Sequence, residues 1–256
     1  VGSGPLRDDL GHAVRLAGPA RRVVSLVPSL TEAIAASVPD RLVGATDWCT
    51  HPADLDVPRV RGTKNPDLPA IAALAPDLVV ANQEENRRLD VERLRAAGTA
   101  VWVTVIESVP QSLSSMTRLF VEPLGVAVPE WLVAARREWA RPVPDTHRSV
   151  VVPVWRDPWM VVGSRTFTGD LLARLGLDNV FGDHAERYPH VSLSEMAAAD
   201  PDLVLLPDEP YAFGRDDGPE AFPDGRSVLL PGRMLTWYGP SLTTAREVVL
   251  GAVGQR

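Results

Sequence analysis

The pair of residues that most invites a reaction is Cys49 and His51, two positions apart in "DWCTHP". A thiolate nucleophile needs a base aimed at its sulfur and an electropositive setting, and neighbours at i and i+2 in a loop secure neither. A cytosolic α/β enzyme using Cys49 and His51 therefore stays open as an alternative. The other histidines, His12, His147, His184 and His190, are scattered and make no His-Glu-x-x-His pair, the spacing that sets two zinc ligands on one helix face. Gly-x-x-x-x-Gly-Lys, Gly-x-Gly-x-x-Gly and Gly-x-Ser-x-Gly are absent, so nucleotide and hydrolase chemistry lack their phosphate loops and nucleophile elbow. No catalytic residues are assigned, and neither a resident cofactor nor a protein-held metal is expected.

Aromatic side chains stand where chemistry of another kind could occur. Trp48 follows "RLVGAT", Trp155 ends "SVVVPVW", Trp159 lies in "RDPWM", Tyr188 in "ERYPHVS", and Trp237 and Tyr238 in "TWYGPS". All fall in predicted loops. In open α/β folds the carboxyl ends of strands border the ligand crevice, so aromatics there can line a flat stacking site. Taken singly, each is better explained by packing or loop anchoring. Together with Asn82 and Glu85 after one strand, and Asp208, Glu209 and Tyr211 after another, they favour a crevice. An exposed aromatic patch for a protein partner, with no small ligand, is the other alternative. Trp131 and Trp139, eight apart on a predicted helix, read as packing residues.

The elements that would position these residues are signalled by a repeated phrase, "LAPDLVVANQEE" at 74–85 and "ADPDLVLLPDEP" at 199–210. Nine residues before Pro76 stands Asp67, and nine before Pro201 stands Ser192. Both are good helix N-caps, and Ser192 with Glu195 has capping-box spacing. Each cap opens a short helix, "LPAIAALA" or "LSEMAAAD", which the proline closes before an apolar strand. The two copies lie 125 residues apart in a chain of 256, which suggests two similar α/β lobes; chance recurrence in a Pro- and Leu-rich chain is the bland alternative. "RRVVSLVPSLTEAIAA" predicts a strand over Val23 to Val27 and a helix capped by Ser29, with Glu32 as its box partner. "RLVGAT" and "AVWVTV" predict further strands, and "RRLDVERLRAAG" a helix closed by Gly98. Between 108 and 140 the pattern is helical only; Pro123, Gly125 and Pro129 leave open one bent helix or two. The rhythm then resumes with "SVVVPVW" and "GDLLARLG".

Bulk properties exclude other classes. A net charge of −7 and a pI near 5.3 argue against a surface that tracks nucleic-acid phosphates. One cysteine permits neither an internal disulfide nor a thiolate metal cluster. No apolar run reaches the roughly eighteen residues a membrane span needs. The opening "VGSGP" has neither a basic n-region nor an apolar h-region, so a signal segment or lipid anchor is expected to have been removed ahead of it.

At this point the residues carry a family resemblance. "DDLGHAVRLAGPARRVVSLVPSLTEAI", continuing through "LVGATDWCTHP" and "LPAIAALAPDLVVA", resembles the start of the class III periplasmic binding proteins, receptors of ABC importers for cobalamin, iron–siderophore complexes and haem. "RDPWMVVGSRTFTGDLLARLGLDNVF" followed by "RYPHVSLSEMAAADPDLVLL" resembles their second lobe. The order and spacing cover nearly the whole chain and are most similar to the cobalamin-binding branch. The resemblance implies two Rossmann-like α/β lobes, 1–107 and 146–256, joined by a long helical connector, 108–145, with a ligand cleft between lobes. It implies an extracytoplasmic, monomeric protein that binds a metal chelate, cobalamin-like first and ferric siderophore or haem next, so that cobalt or iron would arrive inside the ligand. An ABC permease is the implied partner.

Residue by residue, the resemblance assigns ligand contacts to Trp48, Trp155, Tyr188, Trp237 and Tyr238; Asn82 and Glu85, in the tail after their strand, are expected to offer polar contacts. For haem, His51 or Tyr188 could supply an axial ligand. Where the cobalamin receptors carry further tryptophans, this chain has Thr63 and Asn82. Where they carry one acid per lobe for docking on the permease, it has Pro69 and Ser194, with Glu195 adjoining the second.

Overall fold

The computed structural model describes residues 6–222 and 225–254. The opening "VGSGP", at which the leader expectation points, lies outside the described residues. The chain divides into two compact units: one runs through Ile106 and adds Gln111–Ala134 and Tyr238–Pro240, and the other is Glu107–Pro110, Ala135–Trp237 and Ser241 onward.

The first unit begins with β1 (Val23–Ser25), α1 (Pro28–Ser37) and β2 (Leu42–Ala45), then a short antiparallel pair, β3 (Arg61–Gly62) and β4 (Asn65–Pro66). It continues with α2 (Leu68–Ala73), β5 (Leu78–Asn82), α3 (Arg88–Ala96) and β6 (Val101–Thr104). Its sheet has the order β2-β1-β5-β6, all pairs parallel. Two helices follow, α4 (Val109–Val121) and α5 (Glu130–Trp139), so the helical stretch is two helices and not one bent helix. Residues 122–129 between them hold the two prolines and Gly125, whose φ of 60° suits glycine.

The second unit adds β7 (Arg148–Val151), β8 (Pro153–Trp155), β9 (Met160–Val161), α6 (Phe167–Arg174) and β10 (Leu177–Asn179). After these come α7 (Leu193–Ala198), β11 (Leu203–Pro207), β12 (Ser227–Leu230), α8 (Arg233–Thr236) and α9 (Ala245–Gly254). Its main sheet has the order β10-β7-β11-β12, again all parallel. In both sheets the first strand in sequence pairs with the second and third, and the fourth stands at an edge.

The repeated phrase builds the third strand each time. β5 and β11 are buried at every position, as a strand packed on both faces by βαβ crossovers must be. The expected caps are present: Asp67 accepts the Ala70 N–H at 3.0 Å, and Ser192 and Glu195 form a full capping box. The likeness extends to the backbone, because Ala75 and Asp200, each just before its proline, both take the left-handed conformation, with φ of 45° and 46°. A non-glycine residue there costs about 1 kcal/mol or more, so each turn is held by the helix and strand it joins.

One expected start is displaced. Ser29 does not cap α1: the cap is Val27, without a side-chain bond, and Pro28 stands in the first turn. Proline has its φ preset and no N–H to satisfy at that position, so the helix begins two residues earlier. Ser29 and Glu32 are thereby drawn into the buried first half of the helix, and β1 ends at Ser25 instead of Val27. Among the described residues no helix is long and apolar enough to cross a membrane.

Candidate functional site

In a parallel sheet of this order the topological switch point lies between the first and third strands, and the crevice outside their carboxyl ends is where ligands bind. That rule selects the loops after β1 and β5 in one unit and after β7 and β11 in the other. Each is described in its own unit.

In the first unit, Asn82 ends β5 and is buried. Its Oδ1 accepts the N–H groups of Glu84 at 2.8 Å and Glu85 at 3.3 Å, while its Nδ2 donates to Thr104 Oγ1 at 3.1 Å. Both amide atoms are thus engaged in shaping the loop that carries Glu85. Asn86 ties the same loop down, donating to the carbonyls of Leu26 and Thr63. Above it Tyr238 donates its hydroxyl to Glu85 Oε1 at 3.2 Å. Burial pushes the Tyr238 phenol well above its ordinary value, and the Glu85 carboxylate adds to that, so Tyr238 is a neutral donor. Gly239 lets this segment lie on the first turn of α1, since a Cβ there would stand 2.8 Å from the Ser29 carbonyl oxygen.

Trp48 stands in the loop after β2 and is 66% exposed. The turn beneath it is anchored by Cys49, whose sulfur takes hydroxyl contacts from Thr31 at 3.0 Å and Thr46 at 3.1 Å. Arg59 donates to the carbonyls of Thr46 and Cys49. Cys49 itself is fully buried, and burial pushes its thiol up, the reverse of what a nucleophile requires. The His51 ring lies within 3.2 Å of Thr50 Oγ1. At "DWCTHP" the thiol is thus enclosed among hydroxyls, next to the exposed Trp48.

In the second unit Trp155 ends β8 and is 46% exposed, with its ring edge-on to Tyr211 at 5.6 Å. Trp159 stacks on Phe213 at 5.8 Å, so it is a packing residue of that loop. Tyr188, half-buried, rides on a segment bonded to β9 and its extension: Val161 donates to the Pro189 carbonyl at 3.0 Å and Gly163 to that of Arg187 at 2.8 Å. Gly163 permits this approach, since a Cβ there would stand 2.9 Å from Pro189 Cδ. Trp237 is buried, with the Arg233 guanidinium 5.7 Å above its ring.

Glu209 follows β11 at the switch point. Burial, then the neighbouring Asp208 carboxylate, pushes its carboxyl up to about 7, against opposing contributions from Thr236, Trp237 and Arg233. Asp208 is itself used by the backbone, accepting the Gly232 N–H at 2.6 Å. Among the described residues no group of three or more His, Cys, Asp and Glu is placed to hold a metal ion.

The structure thus brings Asn82, Glu85 and Tyr238 together in the first unit, with Trp48 on a separate loop of that unit. Trp155, Tyr188 and Trp237 belong to the second. Sequence reasoning missed the network of Arg156 and Asp217 behind Trp155; only the adjacency of Arg156 to Trp155 hinted at it. Pro69 and Ser194 occupy corresponding exposed positions in the first turns of α2 and α7, and the Glu195 carboxylate is held by Ser192, which lowers its pKa.

No family model matches the chain. It is similar to the vitamin B12-binding protein of Vibrio campbellii, 23% identical over 198 residues that span 73% of this chain and 71% of that one. Of solved structures, it is similar to the periplasmic vitamin B12 binding protein of Vibrio cholerae, with a TM-score of 0.74 and 21% identity over 93% of this chain and 98% of that one. It is also similar to the periplasmic heme-binding protein BhuT in complex with two hemes, with a TM-score of 0.75 and 25% identity over 93% of this chain and 99% of that one. The chain has the two-lobe α/β fold of these proteins.

Proposed function

We propose that this chain, a relative of class III periplasmic binding proteins of the cobalamin, haem and siderophore type, is the extracytoplasmic substrate-binding protein of an ABC importer. Its ligand in this reading is a metal-bearing macrocycle or chelate, cobalamin-like first and ferric siderophore or haem next. The observation that carries the reading is the exposure of two tryptophans, Trp48 on the loop after β2 in the first unit and Trp155 at the end of β8 in the second. A large indole left in water forgoes about 2 kcal/mol of burial, and a flat macrocycle is a surface that restores it. Tyr188 extends the apolar contact, and Glu85, oriented by Asn82 and Tyr238, supplies a polar one. Trp237, expected as a further contact, is buried in the second unit.

The protein turns nothing over in this reading and needs no resident cofactor. It acts as a monomer and delivers its ligand to a permease. The absence of acids at Pro69 and Ser194 means that docking rests on other contacts. A cysteine enzyme is disfavoured by the burial of Cys49.

Equilibrium titration with cobalamin, a ferric siderophore and haem tests the proposal. Saturable binding of at least one is expected, and Trp48→Ala or Trp155→Ala lowers its affinity by about tenfold or more, as aromatic anchors do. Folded protein that binds none of the three would overturn it. If haem is the ligand, an absorption spectrum unchanged in His51→Ala removes His51 as an axial ligand and leaves Tyr188.

A further inference from the structure

The loop after β11 is wired to Trp155. Tyr211 meets the Trp155 ring at 5.6 Å with the planes 80° apart, and it packs on Phe213 at 4.7 Å. Its hydroxyl donates to Asp217 Oδ2 at 2.8 Å. The same carboxylate raises the Tyr211 phenol above its ordinary value, so the hydroxyl stays a donor. Asp217 in turn pairs with the Arg156 guanidinium through its other oxygen. Arg156 also reaches Glu220 Oε1 at 2.5 Å and lies 5.3 Å from the centre of the Trp159 ring.

The backbone supports this wiring. Gly214 and Asp217 exchange main-chain bonds at 2.9 and 3.4 Å, closing a tight turn that returns Asp217 to Tyr211. Gly218, at φ 123°, lets the chain pass beside Phe213, where a Cβ would stand 2.8 Å from the ring. A half-exposed indole has few contacts of its own to select one rotamer. Ordering a side chain on binding weakens affinity, and a ring already ordered avoids that loss.

We propose that Tyr211 and Asp217 are positioning residues that hold the Trp155 indole in one orientation for the ligand, with Arg156 securing Asp217. The inference rests on the binding reading above and names what sets the second unit's aromatic surface. The ring contact and the Tyr211–Asp217 bond serve one geometry: the first fixes the indole, and the second keeps Tyr211 from turning away.

The test has two readouts. In ligand-free protein the Trp155 indole N–H resonance, identified by its loss in Trp155→Phe, is expected as one sharp signal in the unaltered chain. It broadens or splits most in Tyr211→Ala, and to a lesser degree in Tyr211→Phe and Asp217→Ala, each of which keeps the Tyr211 ring but loses the bond that holds it. In titrations with haem and cobalamin, Tyr211→Ala weakens binding by about fivefold, the scale of one aromatic contact. In the Trp155→Ala background the same substitution has no further effect, because a residue acting through Trp155 has nothing left to position.

An unchanged indole signal in folded Tyr211→Ala overturns the proposal, and so does an equal loss of affinity in the Trp155→Ala background. If Tyr211→Ala does not fold, Tyr211→Phe and Asp217→Asn carry the comparison through the same signal. If the unaltered protein binds neither probe, that counts against the binding reading, while the indole resonance still decides whether Tyr211 and Asp217 orient the ring.

Discussion

Glu209 shows how a single residue's setting gives it behaviour its type does not announce. Its carboxyl sits at about 7 against an ordinary 4.5 because burial and Asp208 disfavour the charge. The folded chain therefore binds this proton more tightly than the unfolded chain. The resulting stability is fully present below the ordinary value and is lost as pH rises through about 7. Glu209→Gln, neutral at every pH, is expected to be more stable than the unaltered protein at pH 8 by no more than about 3 kcal/mol, with the advantage gone near pH 4.5. Urea unfolding at the two pH values measures this, and a pH-independent difference would refute the assignment. The sequence marked Glu209 as one polar residue in the tail of a strand. The proximity of Asp208 was legible there, but the enclosure was not, because burial depends on which distant segments cover a loop. Cys49 carries the same lesson. Its type and its neighbour His51 suggested reactivity, and the hydroxyls of Thr31 and Thr46, eighteen and three residues away in sequence, assign it to the interior.

At the scale of elements, local signals served well where the deciding partner is close in sequence. Asp67 and Ser192 cap α2 and α7 as their types and spacing predict, since the accepting oxygen and the donating N–H lie three residues apart. Asp67→Ala and Ser192→Ala are each expected to cost about 1 kcal/mol, read as a shift in the urea midpoint with an unchanged slope. A loss in only one of them would mean that the two copies are not mechanically alike. The misplaced cap of α1 has the same local physics with two candidates in competition: Ser29 offered a cap, Pro28 offered a first turn, and the proline prevailed. The consequence is not local, because it places Ser29 and Glu32 where Gly239 returns. The mechanical role of the N-terminal segment was not legible in its sequence. Asp8 is buried beneath Arg95 at 2.5 Å, and Asp9 is held by Arg118 at 2.6 Å, pairings that span nearly the whole first unit in sequence.

For the whole molecule, each unit has its own sheet and its own core. Ile71 belongs to a cluster with Val24, Val79 and Val101; Leu206 belongs to another with Val151, Val204 and Phe213. Ile71→Ala and Leu206→Ala each remove a fully buried side chain, at a cost of about 2–5 kcal/mol. Hydrogen exchange is expected to quicken in β1, β2, β5 and β6 for the first, and in β7, β10, β11 and β12 for the second. Equal quickening in both sheets from either substitution would contradict separate cores. What the sequence by itself determined was the duplicated α/β plan, the buried third strand of each sheet, and the caps of α2 and α7. Hydrophobic period, turn chemistry and capping act over a few residues, so they can be read along a line. Only the tertiary structure decided which of those aromatics stay in water, as Trp48 and Trp155 do, and which are buried, as Trp237 and Tyr238 are. It also decided that Asn82 shapes a loop, that Cys49 is buried, and that Tyr211, bonded to Asp217, meets the Trp155 ring. Exposure and contact are set by segments far apart in sequence, and the packing that brings them together leaves no local periodic signature.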